Sequence, residues 1–229
     1  MKTIGLIGGL SWVSTVDYYR IINEATNRRL GGMHSAKILM QSVDLEEALT
    51  GVDGWRTQPA LMIDCAKRLE SMGADCILIC TNTFHKAADD VQKQVSVPLI
   101  HIADCAGAAA KDAGMKKVGL LGTRFTMGET FYRGRIKRKF GIDVVIPGEA
   151  DCKFVDDVIF NELCLEKFLP QSKAGYLKII DKLSSQGAEG IVLGCTEIPL
   201  LVKQEDTKVP LFDTTRLHAL AAVDFALAD

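Results

Sequence analysis

No apolar run in this chain approaches the roughly 18 residues that a membrane-spanning helix needs, so no membrane partner is expected. Neither sign of charge dominates: 27 Lys and Arg stand against 29 Asp and Glu, a formal net charge of −2. A general attraction to nucleic acid is therefore not implied, and the basic run "RIKRK" at 135–139 reads as a solvated helix face. No CxxC pair and no Cys/His cluster with zinc spacing occurs, so no metal site is expected. The dinucleotide fingerprint GxGxxG is missing too, because the candidate stretch reads G-L-I-G-G. There is no P-loop, no nucleophile elbow and no Ser-His-Asp pattern. These absences leave phosphoryl transfer and serine-type hydrolysis without support.

Seven cysteines are present, at 65, 76, 80, 105, 152, 164 and 195. Their number is odd. The N-terminal "MKTIGLIGG" starts directly with a strand-like segment and is broken by glycine too early for a signal peptide. Both observations favour a cytoplasmic protein with free thiols, most of them packed as small hydrophobes.

The informative feature is an internal repeat. "TIGLIGG" (3–9) resembles "KVGLLGT" (117–123), an offset of 118 − 4 = 114. "GADCILICT" (73–81) resembles "GAEGIVLGC" (187–195) at the same offset. "VPLIHIAD" (97–104) resembles "VPLFDTTR" (209–216) at 112, and Tyr18 falls loosely on Tyr132. Each half alternates short apolar runs rich in branched residues with helix-length amphipathic stretches, such as 55–72 and 172–186. Continuous apolar strands separated by helices indicate parallel sheets covered on both faces. The expected fold is α/β, with two similar doubly wound parallel-sheet lobes related by a pseudo-twofold and an active site in the cleft between them. The first lobe is expected over 1–102, with a C-terminal helix over about 213–229 packing back on it, and the second over 103–212.

Ligands of such sheets bind beyond the carboxyl ends of the strands. Four loops sit there: "GGLSW" (8–12), "CTNTFHK" (80–86), "GTRFTM" (122–127) and "GCTEI" (194–198). Each passes from a strand end to a helix start, whose free N–H groups suit an anion. The glycines of "GLIGG" either pack strand on helix or touch the ligand. The polar Thr196 and Glu197 argue against full burial of Cys195, which reads as catalytic. His85 is either a site residue or a packing and capping one, and His101, inside an apolar run, reads as a core histidine.

At the 114 offset Cys195 falls on Thr81, and Cys80 falls on Gly194. Two equivalent strand-end residues on opposite sides of one ligand suit racemisation or epimerisation, which removes a proton from one face of a carbon and delivers one to the other. A thiolate with a pKa near ~8.5, or lower beside a helix N-terminus, is a usable base. Backbone N–H groups aimed at the substrate carboxylate would stabilise the carbanion.

Together "GLIGGLSW", "CTNTFHK", "LGTRFTM", "LGCTEI" and "PLFDT" resemble the aspartate/glutamate racemase family over essentially the whole length. That family is independent of pyridoxal phosphate and requires no cofactor. In most members the first motif reads C-N-T and the second G-C-T, and the two cysteines are opposed acid and base. Asn82 and Thr83 match the family's N-T; Cys195 and Thr196 match its C-T. Thr81 occupies the place of the first catalytic cysteine, so the chain resembles the branch with threonine there. Strand alternation agrees, because if Thr81 faces the cleft then Cys80 faces the lobe interior.

The resemblance implies a homodimeric racemase of aspartate or glutamate, with Cys195 and Thr81 catalytic. Asn82, Thr83, Thr123, Thr196 and Ser11 are the candidates for the α-carboxylate and amine. The second carboxylate calls for a cation; Lys167 and Arg124 are candidates, and Cys164 sits where the family can place a basic residue. Related families of this layout carry out cis–trans isomerisation, decarboxylation or hydantoin racemisation. A protein that binds an amino acid without turning it over is the non-enzymatic alternative.

Overall fold

The structure is a computed structural model and describes residues 1–50 and 58–228 of the 229. In chain order the elements are β1 (Ile4–Gly8), α1 (Trp12–Leu30), β2 (Ile38–Ser42), α2 (Leu45–Thr50), α3 (Gln58–Ser71) and β3 (Cys76–Ile79). A 3₁₀ turn (Thr83–Ala87) leads to α4 (Ala88–Gln92) and α5 (Ile102–Asp112). Then follow β4 (Lys117–Gly122), α6 (Arg124–Gly128), α7 (Thr130–Phe140), β5 (Asp143–Val145), α8 (Glu149–Asn161) and α9 (Pro170–Ser185). The chain closes with β6 (Gly190–Gly194), α10 (Ile198–Leu201), β7 (Leu211–Asp213) and α11 (Thr214–Leu227). Positions 55–57 of the helix expected at 55–72 lie outside the described residues. Among the described residues no helix is long and apolar enough to cross a membrane.

Two compact units emerge: Met1–Ile102 with Thr215–Asp229, and Ala103–Thr214. The first holds a parallel sheet in the order β2-β1-β3, the second one in the order β5-β4-β6-β7. This is the expected α/β class, with two parallel sheets. In the first unit β1 and β3 are buried at every position, as strands covered on both faces must be. Alternation sends Ile7, Ile77 and Ile79 to one face, against Met62, Cys65 and Leu69 of α3. It sends Ile4, Leu6, Cys76, Leu78 and Cys80 to the other, against Tyr18 and Ile22 of α1 and Ala219 and Val223 of α11. In the second unit α8 and α9 pack on β4, presenting Val155, Ile159, Ile179 and Leu183.

Strand register reproduces the repeat. Ile77 lies beside Leu99, and Ile191 beside Leu211, giving offsets of 191 − 77 = 114 and 211 − 99 = 112. The glycines of the two "GL-G" runs are packing devices. A Cβ on Gly5 would come within 2.9 Å of the Cys76 carbonyl oxygen, and one on Gly119 within 2.5 Å of Ile191. One expected strand, "PLIHI", shrinks to an isolated bridge at Leu99. Just beyond it, the Ile100 carbonyl and the Ile102 amide bond to the imidazoles of His218 and His85, so these groups are not available to a longer ladder.

The repeat is broken at one buried pair. In the first unit the Tyr18 hydroxyl lies 2.8 Å from His218 Nδ1. Its counterpart Tyr132 is equally buried, but among the described residues its hydroxyl has no partner. At the 112 offset the residue in the place of His218 is Ala106, which carries nothing to accept a hydrogen bond. Burial, with the charges of Cys105 and Asp104, pushes the Tyr132 phenol far up. Tyr18→Phe should therefore cost about 1–2 kcal/mol in urea unfolding, while Tyr132→Phe should be neutral or stabilising, because only the former breaks a buried bond.

Candidate active site

Each unit presents polar residues where its central strands end, and each is described by itself. In the second unit β4 and β6 run side by side to the Gly122 and Gly194 pair. Thr123 follows the first. Its hydroxyl caps α6 by accepting the Thr126 N–H at 3.3 Å. Cys195 follows the second. Its Sγ–H donates to Glu197 Oε2 at 3.0 Å, and the Thr196 hydroxyl donates to the same oxygen at 2.9 Å. The other oxygen, Glu197 Oε1, is buried without a partner.

Two expectations are corrected here. Thr196 and Glu197 do not keep Cys195 exposed: all three are buried, Cys195 at 7% and the others at 2% exposure. Their polar groups bond to one another, which lets the cluster leave water. Nor is Cys195 an easily ionised thiol. Burial raises its pKa well above the ordinary value, and the Glu197 charge, Cys164 and the side-chain hydrogen bond to Glu197 add to the rise. One backbone N–H, that of Glu197, opposes them. The Cys195 thiol is thus held protonated against an acceptor. The carboxylate two residues on, Glu197, is the contact of Cys195 that the sequence pattern does not reveal. Its only sequence signal is an acidic residue in the same short loop as Cys195.

In the first unit Thr81 follows β3. It is buried at 8% exposure, and its N–H bonds to the Ile79 carbonyl at 2.8 Å. Among the described residues of its unit its hydroxyl makes no hydrogen bond. Asn82 and Thr83 are buried beside it, at the start of the 3₁₀ turn. Ser11, on the neighbouring loop after β1, is buried with its hydroxyl unpartnered. Cys80 faces the other way, fully buried among Leu6, Tyr18 and Leu78, and burial alone drives its thiol far up. His85 bonds to the Thr81 carbonyl and the Ile102 amide, and His101 is buried as expected of a core histidine.

Thr81, Asn82, Thr83 and Ser11 thus fall on adjacent strand ends in one unit, and Cys195, Thr196 and Thr123 on adjacent strand ends in the other. Lys167 is not in the second group. It lies exposed after the left-handed Glu166, with its N–H on the Glu162 carbonyl. Arg124 is exposed over the Phe125 ring, and its N–H donates to Asp156.

A family model for Asp/Glu/Hydantoin racemases matches residues 7–222. The chain belongs to this family. A crystal structure of a candidate Asp/Glu racemase from Yersinia pestis is 48% identical to it, covers 100% of both chains and superposes with a TM-score of 0.92. The crystal structure of an aspartate racemase homologue from Pyrococcus horikoshii OT3 is 34% identical, again over 100% of both, with a TM-score of 0.87. A glutamate racemase from Persephonella marina is 26% identical over 69% of this chain and 61% of its own length. Aspartate and glutamate racemases are isomerases.

For this member of the Asp/Glu/Hydantoin racemase family, the Cys195 environment has a direct chemical consequence. Iodoacetamide at neutral pH should label Cys195 slowly, and Cys80 not at all, when sites are read by peptide mass spectrometry. Glu197→Gln removes the charge that holds the thiol up. It should speed labelling of Cys195 by on the order of ten-fold for each pKa unit relieved.

Proposed function

We propose that the protein racemises an acidic amino acid, aspartate or glutamate, by two-base α-proton transfer without a cofactor. Cys195 and Thr81 serve opposite faces of the α-carbon. The observation that carries this reading is the buried Cys195–Glu197 pair, a thiol at 3.0 Å from a carboxylate oxygen. A neutral thiol cannot take a proton until it has lost its own. The Sγ–H proton passes to Glu197 Oε2 as the sulfur takes the substrate α-proton. One S–H bond breaks, another forms, and the carboxylate holds the surplus proton. Run backwards, the same relay makes Cys195 a donor. General acid–base relays of this kind contribute about 10²–10⁴-fold in rate.

Thr81 has no such relay in its own unit. A hydroxyl is a poor base, so Thr81 acts mainly as donor. Its O–H bond breaks as the C–H bond forms on the opposite face. The alkoxide left behind takes a proton from solvent while Glu197 releases its own, and turnover is biased in direction. Asn82, Thr83, Thr123, Thr196 and Ser11 are the proposed contacts for the substrate carboxylate and amine, the buried free hydroxyl of Ser11 being the readiest donor. Hydrogen bonds to the carboxylate that tighten as charge develops stabilise the carbanion. Selection of the distal carboxylate is assigned to a cation, with Lys167 the candidate from the sequence. A homodimer, implied by the family resemblance, in the cytoplasm, as the odd number of cysteines favours, completes the reading, and sedimentation of the purified protein tests the dimer.

Each enantiomer of aspartate and glutamate, incubated in D₂O with the protein, should lose its α-proton and yield both antipodes by NMR and chiral chromatography. A 5-substituted hydantoin, from the other class in the family description, serves as the comparison. Cys195→Ala should abolish exchange; survival of exchange would refute the mechanism. Glu197→Gln should cut kcat by about 10²–10³-fold while making the thiol more easily alkylated. Thr81→Cys should raise the slow direction, whereas Cys80→Ala should leave the ratio of the two directions unchanged.

A further inference from the structure

Three buried histidines cluster in the Thr81 unit, one of them on the Thr81 carbonyl, and the proposed chemistry uses none of them. His85 Nδ1 lies 2.6 Å from the Thr81 carbonyl oxygen, and its Nε2 lies 3.1 Å from the Ile102 amide nitrogen. A carbonyl can only accept and a backbone N–H can only donate. The contacts therefore fix the tautomer: Nδ1 carries the proton and Nε2 the lone pair. The His85 ring sits 4.6 Å from that of His101 and 5.5 Å from that of His218, centre to centre. His218 is fixed by the same logic. Its Nε2–H donates to the Ile100 carbonyl at 2.7 Å, so its Nδ1 accepts from the Tyr18 hydroxyl. The segment 100–102 is thus gripped at a carbonyl by one imidazole and at an amide by another. The ring nitrogens of His85 and His218 point to separate partners rather than to a common centre, and among the described residues no group of His, Cys, Asp and Glu could hold a metal ion.

We infer that His85 is the positioning residue for Thr81, anchoring the Thr81 carbonyl to the start of α5 and so fixing where the threonine hydroxyl stands; this rests on the reading of Thr81 as the second acid. The anchor is needed because Thr81 follows a strand only four residues long, Cys76–Ile79, and precedes a 3₁₀ turn. Such turns have poorer hydrogen-bond geometry than an α-helix. Without the imidazole the Thr81 carbonyl loses this side-chain anchor, and the threonine hydroxyl shifts as the peptide relaxes. His85 works only as a neutral ring, since a second ring proton would displace the Ile102 amide. His85 is buried at 2% exposure, and burial drives the neighbouring His218 down from an ordinary 6.5 to about 4. Misplacing a reacting group by about 1 Å costs on the order of 10²-fold in rate, so the anchor should be visible in kinetics.

Two amide replacements separate its two bonds. The nitrogen of an asparagine side chain can stand where Nδ1 stands, and the oxygen of a glutamine side chain where Nε2 stands. His85→Asn retains the bond to the Thr81 carbonyl, and His85→Gln retains only that to the Ile102 amide. The readout, in D₂O from single enantiomers, is the ratio of inversion to deuterium uptake with retained configuration. For the enantiomer whose α-proton faces Cys195, uptake with retention needs only the Cys195–Glu197 side, and inversion needs Thr81 as well. His85→Gln should lower the ratio by on the order of 10- to 100-fold while retention exchange persists, and His85→Asn should recover most of it. An unchanged ratio in His85→Gln, or equal loss of both processes in both variants, overturns the assignment. A second measurement does not depend on catalysis. The ¹⁵N spectrum of the wild-type imidazole should show an Nδ1–H tautomer at pH 7, with a coupling across the bond to the Thr81 carbonyl carbon. An Nε2–H tautomer or an imidazolium there refutes the anchor. If that spectrum holds but no amino acid exchanges its α-proton, the anchor stands and the racemase reading falls.

Discussion

A parallel strand covered on both faces can place a polar side chain only at its end. β1, β3 and β6 are buried at every position, so their interiors accept only apolar groups. The first polar residues beyond them, Thr81 to Thr83 in one unit and Cys195 to Glu197 in the other, gather at the carboxyl ends, beyond which ligands of such sheets bind. The same constraint separates Cys80 from Thr81. One residue of difference reverses the face, and Cys80 goes to the core cluster of Leu6 and Tyr18.

At those strand ends the two units differ in their electrostatics. Cys195 shares a carboxylate oxygen with Thr196, and the free oxygen of Glu197 is left buried. A buried carboxylate oxygen without a partner is costly, and such costs recur at sites that hold a charge ready for use. Thr81 is held instead through its backbone, by an imidazole locked in one tautomer. The Cys195 contacts are made by a side chain and those behind Thr81 by a backbone carbonyl. A thiol needs a relay because its proton must leave before it can act as a base. A hydroxyl that acts as donor needs placement first.

Divergence between the halves is also visible away from the strand ends. Tyr18 and Tyr132 occupy matching places, yet His218 meets the first while Ala106 stands where a partner for the second would be. The histidine cluster therefore belongs to the Thr81 unit alone. Its rings also bond to the segment 100–102, where the first unit passes into the second, which is why "PLIHI" forms one bridge rather than a strand.

Much of this was legible in the sequence. The offsets of 114 and 112 gave the repeat, and the register of β3 and β6 with their neighbours reproduces both. Alternating apolar runs and helices gave the α/β class, because a strand's burial on two faces is written in its composition. The assignment of Cys80 to the core, with Thr81 left at the strand end, followed from counting along a strand. Tertiary structure decided what depends on side chains meeting at close range. It buried Glu197 and turned it into the partner of Cys195, raised the thiol where the sequence suggested an easily ionised one, and gave His85 its two backbone bonds. A linear pattern records which residues alternate and repeat. Hydrogen-bond partners and desolvation depend on how a folded loop excludes water, and only the folded chain fixes that.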